Sequence, residues 1–138
     1  MNIAIIATLF QKKEIDLMLT KAQSVAKKEG LVIAKEIRVP GSFEIPLMLS
    51  NVLKDKQIDG AVVLGIIERG KTKHGFVMGQ VVLSKVIDLE LLTGKPVGIG
   101  ILGPEILPHQ IPDRLAPYAV GAVWATKTMF DLLLKQKK

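Results

Sequence analysis

The polar run Glu-Arg-Gly-Lys-Thr-Lys-His at positions 68–74 has the strongest chemical character in this chain. It follows an apolar run and precedes a segment with helical spacing, so the free N–H groups of a first helical turn would point into it. With Gly70, Lys71 and the Thr72 hydroxyl, those amides favour a phosphate group. The order of glycine and lysine differs from that of a Walker A loop. An exposed basic loop is the alternative interpretation.

His74 comes two residues after this candidate phosphate site. An imidazole titrates near neutral pH, so His74 could transfer protons during a reaction; a histidine without a role is the alternative. The second histidine, His109, lies among prolines and is interpreted as structural or exposed. Since the chain has two distant histidines and no cysteine, we predict no metal site.

An aromatic and an acidic residue follow two other apolar runs. Phe10 could stack on a planar ligand, or it could pack at the rim of the core. Glu44 could accept hydrogen bonds from a polyol, or it could be an ordinary acid at the positive end of a helix. Gly41, three residues earlier, would let a ligand approach the backbone closely.

An arginine stands near the start of the last predicted helix. Arg114 is unfavourable for the helix dipole there unless it has another purpose, such as contact with an anion. The alternative is a surface salt bridge to Asp113 or Glu105.

Apolar, β-branched runs alternate with segments of helical spacing and predict the elements that position these residues. The predicted strands are Ile3–Ala7, Val32–Val39, Ala61–Ile67 and Val97–Leu102. The predicted helices include one that ends before Gly30, one over Phe76 to Leu92 and one over Asp113 to Leu134, and Gly103–Pro112 is predicted to be an ordered loop. Strands separated by helices favour a three-layer α/β/α sandwich with a four-stranded parallel sheet. Ligands bind beyond the carboxyl ends of such strands, where all of these candidate residues fall.

Composition narrows the class of protein. The chain has 138 residues, 49% of them hydrophobic, with a formal charge of +6 and no cysteine. We therefore expect one domain over residues 1–138, soluble and without disulfides, which agrees with a cytoplasmic protein. No signal peptide or membrane-spanning segment is predicted, and we expect no membrane partner. Only 4% of residues are aromatic, which disfavours nucleic acid binding, whereas a small anionic ligand fits the positive charge.

Four segments in this order resemble the 6,7-dimethyl-8-ribityllumazine synthase family of riboflavin biosynthesis, and the resemblance covers nearly the whole chain. Its most specific parts are the runs at 39–46 and 65–74, VPGSFEIP and GIIERGKTKH. The run PVGIGIL at 96–102 and Gln110, followed four residues later by Arg114, support it. The implied fold is flavodoxin-like.

The resemblance implies a transferase without metal or organic cofactor. It would condense 5-amino-6-ribitylamino-uracil with 3,4-dihydroxy-2-butanone 4-phosphate, releasing phosphate and water. An imine forms, phosphate is eliminated and the ring closes. The family's sites lie between subunits of a pentamer, so a homopentamer or an assembly of pentamers is implied.

The resemblance also implies roles for individual residues. Phe10 would stack on the pyrimidine, Glu44 would bind ribityl hydroxyls and His74 would transfer protons. Arg114 would reach the phosphate from the adjacent subunit. The remaining implied substrate-binding residues are Ser42 and Phe43 beside the ribityl chain, Gly70, Lys71 and Thr72 at the phosphate, and Ile66, Ile67 and Ile99.

Several positions depart from the family's pattern. Gln11 stands where asparagine is common, Ile99 stands where an aromatic residue is usual, and the Asn-Lys-Gly of the last helix is absent. A phosphate-side lysine is therefore missing, and Lys71 or Lys73 is the candidate replacement. Two alternatives stay open: an archaeal-type riboflavin synthase of the same fold, and a non-catalytic flavin- or lumazine-binding shell protein.

Overall fold

The computed structural model describes residues 1–137, which form four parallel strands and four α-helices. In chain order these are β1 (Asn2–Thr8), α1 (Lys12–Lys28), β2 (Val32–Val39), α2 (Ile45–Leu53), β3 (Gly60–Glu68), α3 (His74–Thr93), β4 (Val97–Ile106) and α4 (Pro112–Gln136). Two short 3₁₀ turns, Ser42–Glu44 and Pro108–Gln110, precede α2 and α4. The strand order is β2-β1-β3-β4, and the predicted four-stranded parallel sheet is confirmed.

The two central strands are buried on both faces, which explains their nearly continuous apolar sequences. Alternate residues of β1 enter different cores: Ile3 and Ile5 pack with α1 and α4, whereas Ala4 and Ile6 pack with α2 and α3. The helices therefore cover the sheet in pairs. The three-layer α/β/α arrangement is the predicted one.

The last strand is longer than its sequence suggested. Residues 103–106 were expected in a loop, yet they continue β4 to Ile106, whose carbonyl accepts the Arg69 N–H at 2.8 Å. Pro104 has no N–H to offer a neighbouring strand, but β4 lies at the edge of the sheet. A proline in an edge strand leaves no partner without its hydrogen bond, so the strand can pass through it.

The third helix also begins earlier than predicted, at His74 instead of Phe76. His74 is therefore the first residue of α3 and lies directly at the carboxyl edge of the sheet. None of the helices in residues 1–137 has the length and apolar content that crossing a membrane requires. Within the same residues, no three acidic or histidine side chains are grouped as ligands for a metal ion.

Candidate active site

A cleft of about 500 Å³ opens at the carboxyl edge of the sheet. It lies where the segments after β1, β2 and β3 meet the first turn of α3. Its lining residues are Phe10, Pro40, Gly41, Ser42, Phe43, Glu44, Ile66, Ile67, Glu68, Gly70, His74, Gly75 and Met78. The predicted site residues among them are Phe10, Ser42, Phe43, Glu44, Ile66, Ile67, Gly70 and His74.

Phe10 forms one wall of the cleft. Its N–H donates to the Pro40 carbonyl at 3.1 Å, and the N–H of Leu9 donates to the Val39 carbonyl at 2.7 Å. These bonds extend the pairing of β1 with β2 beyond the strand ends. The Phe10 side chain is 49% exposed, so it is available to a ligand instead of being packed in the core.

Glu44 accepts a hydrogen bond from the nearby backbone and also lines the cleft. Its Oε2 accepts the Gly41 N–H at 2.9 Å, which closes the turn that precedes α2. This is the structural role that the sequence left open as an alternative. Within residues 1–137 the other carboxylate oxygen, Oε1, accepts no hydrogen bond from a side chain or from the backbone, so it remains free for a ligand.

His74 lies across the cleft, and its ring meets that of Phe43. The ring centroids are 5.9 Å apart and the planes are inclined by 74°, an edge-to-face contact. The backbone N–H of His74 donates to the Thr72 hydroxyl at 3.3 Å. The imidazole is exposed, as access to a substrate requires.

Gly75 explains how α3 can begin so close to the end of β3. A β-carbon on Gly75 would lie 2.6 Å from the carbonyl oxygen of Glu68, closer than real β-carbons approach backbone. The glycine thereby brings the first turn of the helix against the strand. As a result His74 reaches the cleft.

The remaining part of the basic loop lies beside the cleft without lining it in the single chain. Lys71 and Thr72 are exposed, whereas Gly70 lines the cleft. The ammonium of Lys73 lies 5.6 Å from the centroid of the Phe76 ring. Lys71 and Lys73 lie in sequence between Gly70 and His74, two residues that line the cleft, and the amino terminus of α3 beside them favours an anion.

Besides Lys71 and Thr72, two further predicted residues lie outside the cleft of the single chain. Ile99, in β4, is half-buried against the core beneath α2 and α3. Arg114 is exposed in the first turn of α4 and donates from Nη1 to the Gln110 carbonyl at 2.8 Å. Neither alternative salt bridge of Arg114 forms, because Glu105 pairs with Arg69 at 3.4 Å and Asp113 forms no ion pair in the described chain.

Sequence reasoning missed some residues that line the cleft. Glu68 ends β3, so its position after a buried apolar run could have identified it. Its Oε2 accepts a hydrogen bond from Nε2 of Gln11 at 2.8 Å. Met78 lies one helical turn after His74, and this spacing places the two on one face of α3.

Comparison with known proteins places the chain in a family. The family model described as 6,7-dimethyl-8-ribityllumazine synthase matches residues 1–133. A protein of that name from Staphylothermus marinus is 40% identical over 130 residues, 94% of this chain and 87% of the relative. Another from Sulfolobus acidocaldarius is 31% identical over 137 residues, 99% of this chain and 87% of the relative. The chain therefore belongs to the 6,7-dimethyl-8-ribityllumazine synthase family.

Proposed function

We propose that the cleft catalyses the condensation of 5-amino-6-ribitylamino-uracil with 3,4-dihydroxy-2-butanone 4-phosphate to 6,7-dimethyl-8-ribityllumazine. One observation carries the proposal: in a chain of this family, Phe10, Glu44, Gly70 and His74 line a single cleft. They offer a stacking face, a hydrogen-bond acceptor, an approach to an anion and a proton carrier. These are the groups that a planar pyrimidine with a polyol chain and a phosphorylated ketone require.

The two substrates take different ends of the cleft. The pyrimidine stacks on Phe10, which is half exposed, and the ribityl chain runs toward Glu44, whose Oε1 is free. The phosphate lies at the end formed by Gly70, Lys71 and Thr72, near the amino terminus of α3. The substrate amine and ketone are then neighbours, and much of the rate comes from this proximity.

His74 moves the protons of the reaction. The substrate amine attacks the ketone and one water leaves as the imine forms. Phosphate is then eliminated, and ring closure releases a second water. Each step changes the protonation of nitrogen or oxygen, which an exposed imidazole at the cleft can assist. No metal or organic cofactor is needed in this scheme.

The site is completed by a second copy of the chain. Arg114 is exposed and outside its own cleft, which is consistent with contact to the phosphate of an adjacent subunit. Large apolar side chains are exposed in the single chain, among them Leu91 (78%), Leu92 (81%) and Trp124 (54%). Their burial between copies supports a homopentamer or an assembly of pentamers. The proposed location is the cytoplasm, with small-molecule substrates and without nucleic acid or membrane partners.

The direct test mixes the purified chain with both substrates and follows lumazine absorbance and fluorescence. The uncatalysed condensation is run beside it. Lumazine formed above background, with phosphate released in equal amount, is the expected result. Formation at the background rate by folded protein would contradict the proposal, and riboflavin formed from added lumazine would instead identify a riboflavin synthase.

Sharing of the site between copies is tested by mixing two variants, His74→Ala and Arg114→Ala. If His74 of one copy works with Arg114 of its neighbour, dissociation and random reassembly of the mixture restores about a quarter of the sites. Activity should therefore rise above that of either variant alone. A mixture no more active than its better component would place both residues in the same copy's site.

A further inference from the structure

A side-chain hydrogen bond joins the segment after β1 to the end of β3, beyond the last pair of these two strands. Nε2 of Gln11 donates to Oε2 of Glu68 at 2.8 Å, and both side chains are half-buried. Gln11 follows Phe10 directly, and Glu68 stands directly before the basic loop. The bond therefore links the stacking residue to the phosphate end of the cleft.

Backbone pairing in the sheet does not join Gln11 to Glu68, so the link between them depends on their side chains. The last paired residues of β1 and β3 are Ala7 and Leu64, whereas β3 continues to Glu68. Beyond that pair no further residues of β1 and β3 pair with each other in the described chain. Phe10 is bound by its N–H to Pro40 on the opposite side, toward β2. A contact between Gln11 and Glu68 therefore adds a direct constraint on the distance of Phe10 from the loop after β3.

Gln11 has an unusual backbone conformation, and its side chain bonds outside its own helix. Its backbone is left-handed, with φ 52° and ψ 50°, a conformation that residues other than glycine and asparagine adopt rarely. It precedes α1 without capping that helix through its side chain. The amide instead reaches Glu68, a residue distant in sequence.

The loop after β3 is held from the other side as well. The Arg69 N–H donates to the Ile106 carbonyl at 2.8 Å, and Arg69 pairs with Glu105 at 3.4 Å. Both contacts fix the loop to β4. The loop after β3 is thus held to β4 through Arg69. Through Glu68 it is also held to the segment that carries Phe10.

We propose that the Gln11–Glu68 hydrogen bond is a positioning contact of the active site. It holds the Phe10 ring at a set distance from Gly70 and Thr72, so that the stacked substrate and the phosphorylated substrate lie in reacting geometry. The inference rests on the proposed function. Gln11 and Glu68 act through the residues beside them and need not touch the reacting atoms.

A double-mutant cycle tests the contact. Gln11→Ala and Glu68→Ala should each lower kcat/KM about 5- to 20-fold, mainly through a higher KM for both substrates, because the two halves of the cleft lose their fixed separation. The double variant should lose no more than the worse single variant, since both remove the same bond. Losses that multiply would show that the two residues act independently and would overturn the proposal.

Two conservative variants separate positioning from stability. Gln11→Asn keeps an amide and suits the left-handed backbone, but it is shorter by one methylene. We expect its Tm to be unchanged or higher and its kcat/KM to fall as in Gln11→Ala. Glu68→Gln keeps an acceptor and should stay within about threefold of the unchanged chain. A Gln11→Asn variant with full kcat/KM, or losses that follow Tm, would contradict a positioning role.

Titration with the lumazine product, followed by its fluorescence, distinguishes this inference from the proposed function. Gln11→Ala should bind the product more weakly and Glu68→Gln should bind it normally, whether or not the chain catalyses condensation. Absence of condensation together with this binding pattern would reject the function and keep the contact. Equal affinity in all variants would reject the contact itself.

Discussion

Phe43 and His74 meet edge to face, with ring centroids 5.9 Å apart. Phe43 comes from the turn after β2 and His74 opens α3, so the contact joins the two sides of the cleft. An aromatic edge against a ring face prefers this inclined arrangement, which restricts the rotation of the imidazole. Within residues 1–137 no side-chain hydrogen bond orients the His74 ring, so we infer that the Phe43 contact helps to orient it.

Replacement of His74 by alanine should lower turnover by about 10- to 100-fold while ligand binding survives. The reason is that the variant loses a proton carrier and keeps Phe10, Glu44 and Gly70 in the cleft. Steady-state rates and a fluorescence titration with lumazine measure the two effects. His109→Ala, at an exposed histidine outside the cleft, is the matched control and should retain full turnover. Unchanged turnover in His74→Ala would remove His74 from the mechanism.

Replacement of Phe43 by leucine should lower kcat about 3- to 10-fold, because an aliphatic side chain keeps the apolar wall and frees the imidazole to rotate. Stopped-flow traces of lumazine formation would measure the loss. Phe130→Leu, in α4 and remote from the cleft, controls for the loss of an aromatic ring. If Phe43→Leu keeps the kcat of the unsubstituted chain, as Phe130→Leu should, the edge contact does not orient His74.

Replacement of Gly79 by alanine should destabilise the fold by about 1–3 kcal/mol through overpacking. A β-carbon on Gly79 would lie 2.5 Å from Cγ of Pro104, where α3 packs on the end of β4. Gly121→Ala is the matched control in α4, since nothing lies within 4 Å of its added carbon. That variant should gain about 0.5–1 kcal/mol from helix propensity. Urea unfolding measures the free energy of unfolding of both variants. Equal changes in the two would contradict close packing of Pro104 against Gly79.

Asp55 should contribute to stability against acid. The hydrogen bond from Lys35, then the N–H of Gln57 and the charge of Lys95, lower the pKa of Asp55. The ionised form is favoured in the folded state, so its contribution is complete above the unfolded pKa of about 3.9 and is lost as the pH falls through the lower folded value.

The variant Asp55→Asn should therefore be less stable than the unchanged chain at neutral pH, and its Tm should fall less steeply below about pH 4. Melting curves between about pH 2 and pH 7 measure this slope. Asp88→Asn removes an exposed pair with Lys85 and should leave the slope nearly unchanged. If Tm falls with pH equally steeply in Asp55→Asn and in the unsubstituted chain, Asp55 makes no pH-dependent contribution to stability.

Local sequence patterns predicted the strands and helices because β-branched runs and helical spacing reflect the conformation of nearby residues. Val32–Val39 has the predicted bounds, and the helix that ends before Gly30 is followed by that glycine at φ 72°. The end of β4 was predicted wrongly because a proline normally interrupts a strand. Whether a strand lies at the edge of a sheet depends on the order of all strands, which no local pattern contains.

The sequence by itself determined where the cleft would form. Alternating strands and helices require parallel strands, so the segments after β1, β2 and β3 had to meet at one edge. Tertiary structure decided which side chains face one another there: Phe43 with His74, and Gln11 with Glu68. It also left Arg114, Ile99, Lys71 and Thr72 outside the lining of the cleft in the single chain. Periodicity specifies the face of an element, whereas distances across a cleft depend on how far each strand continues beyond its last paired residue.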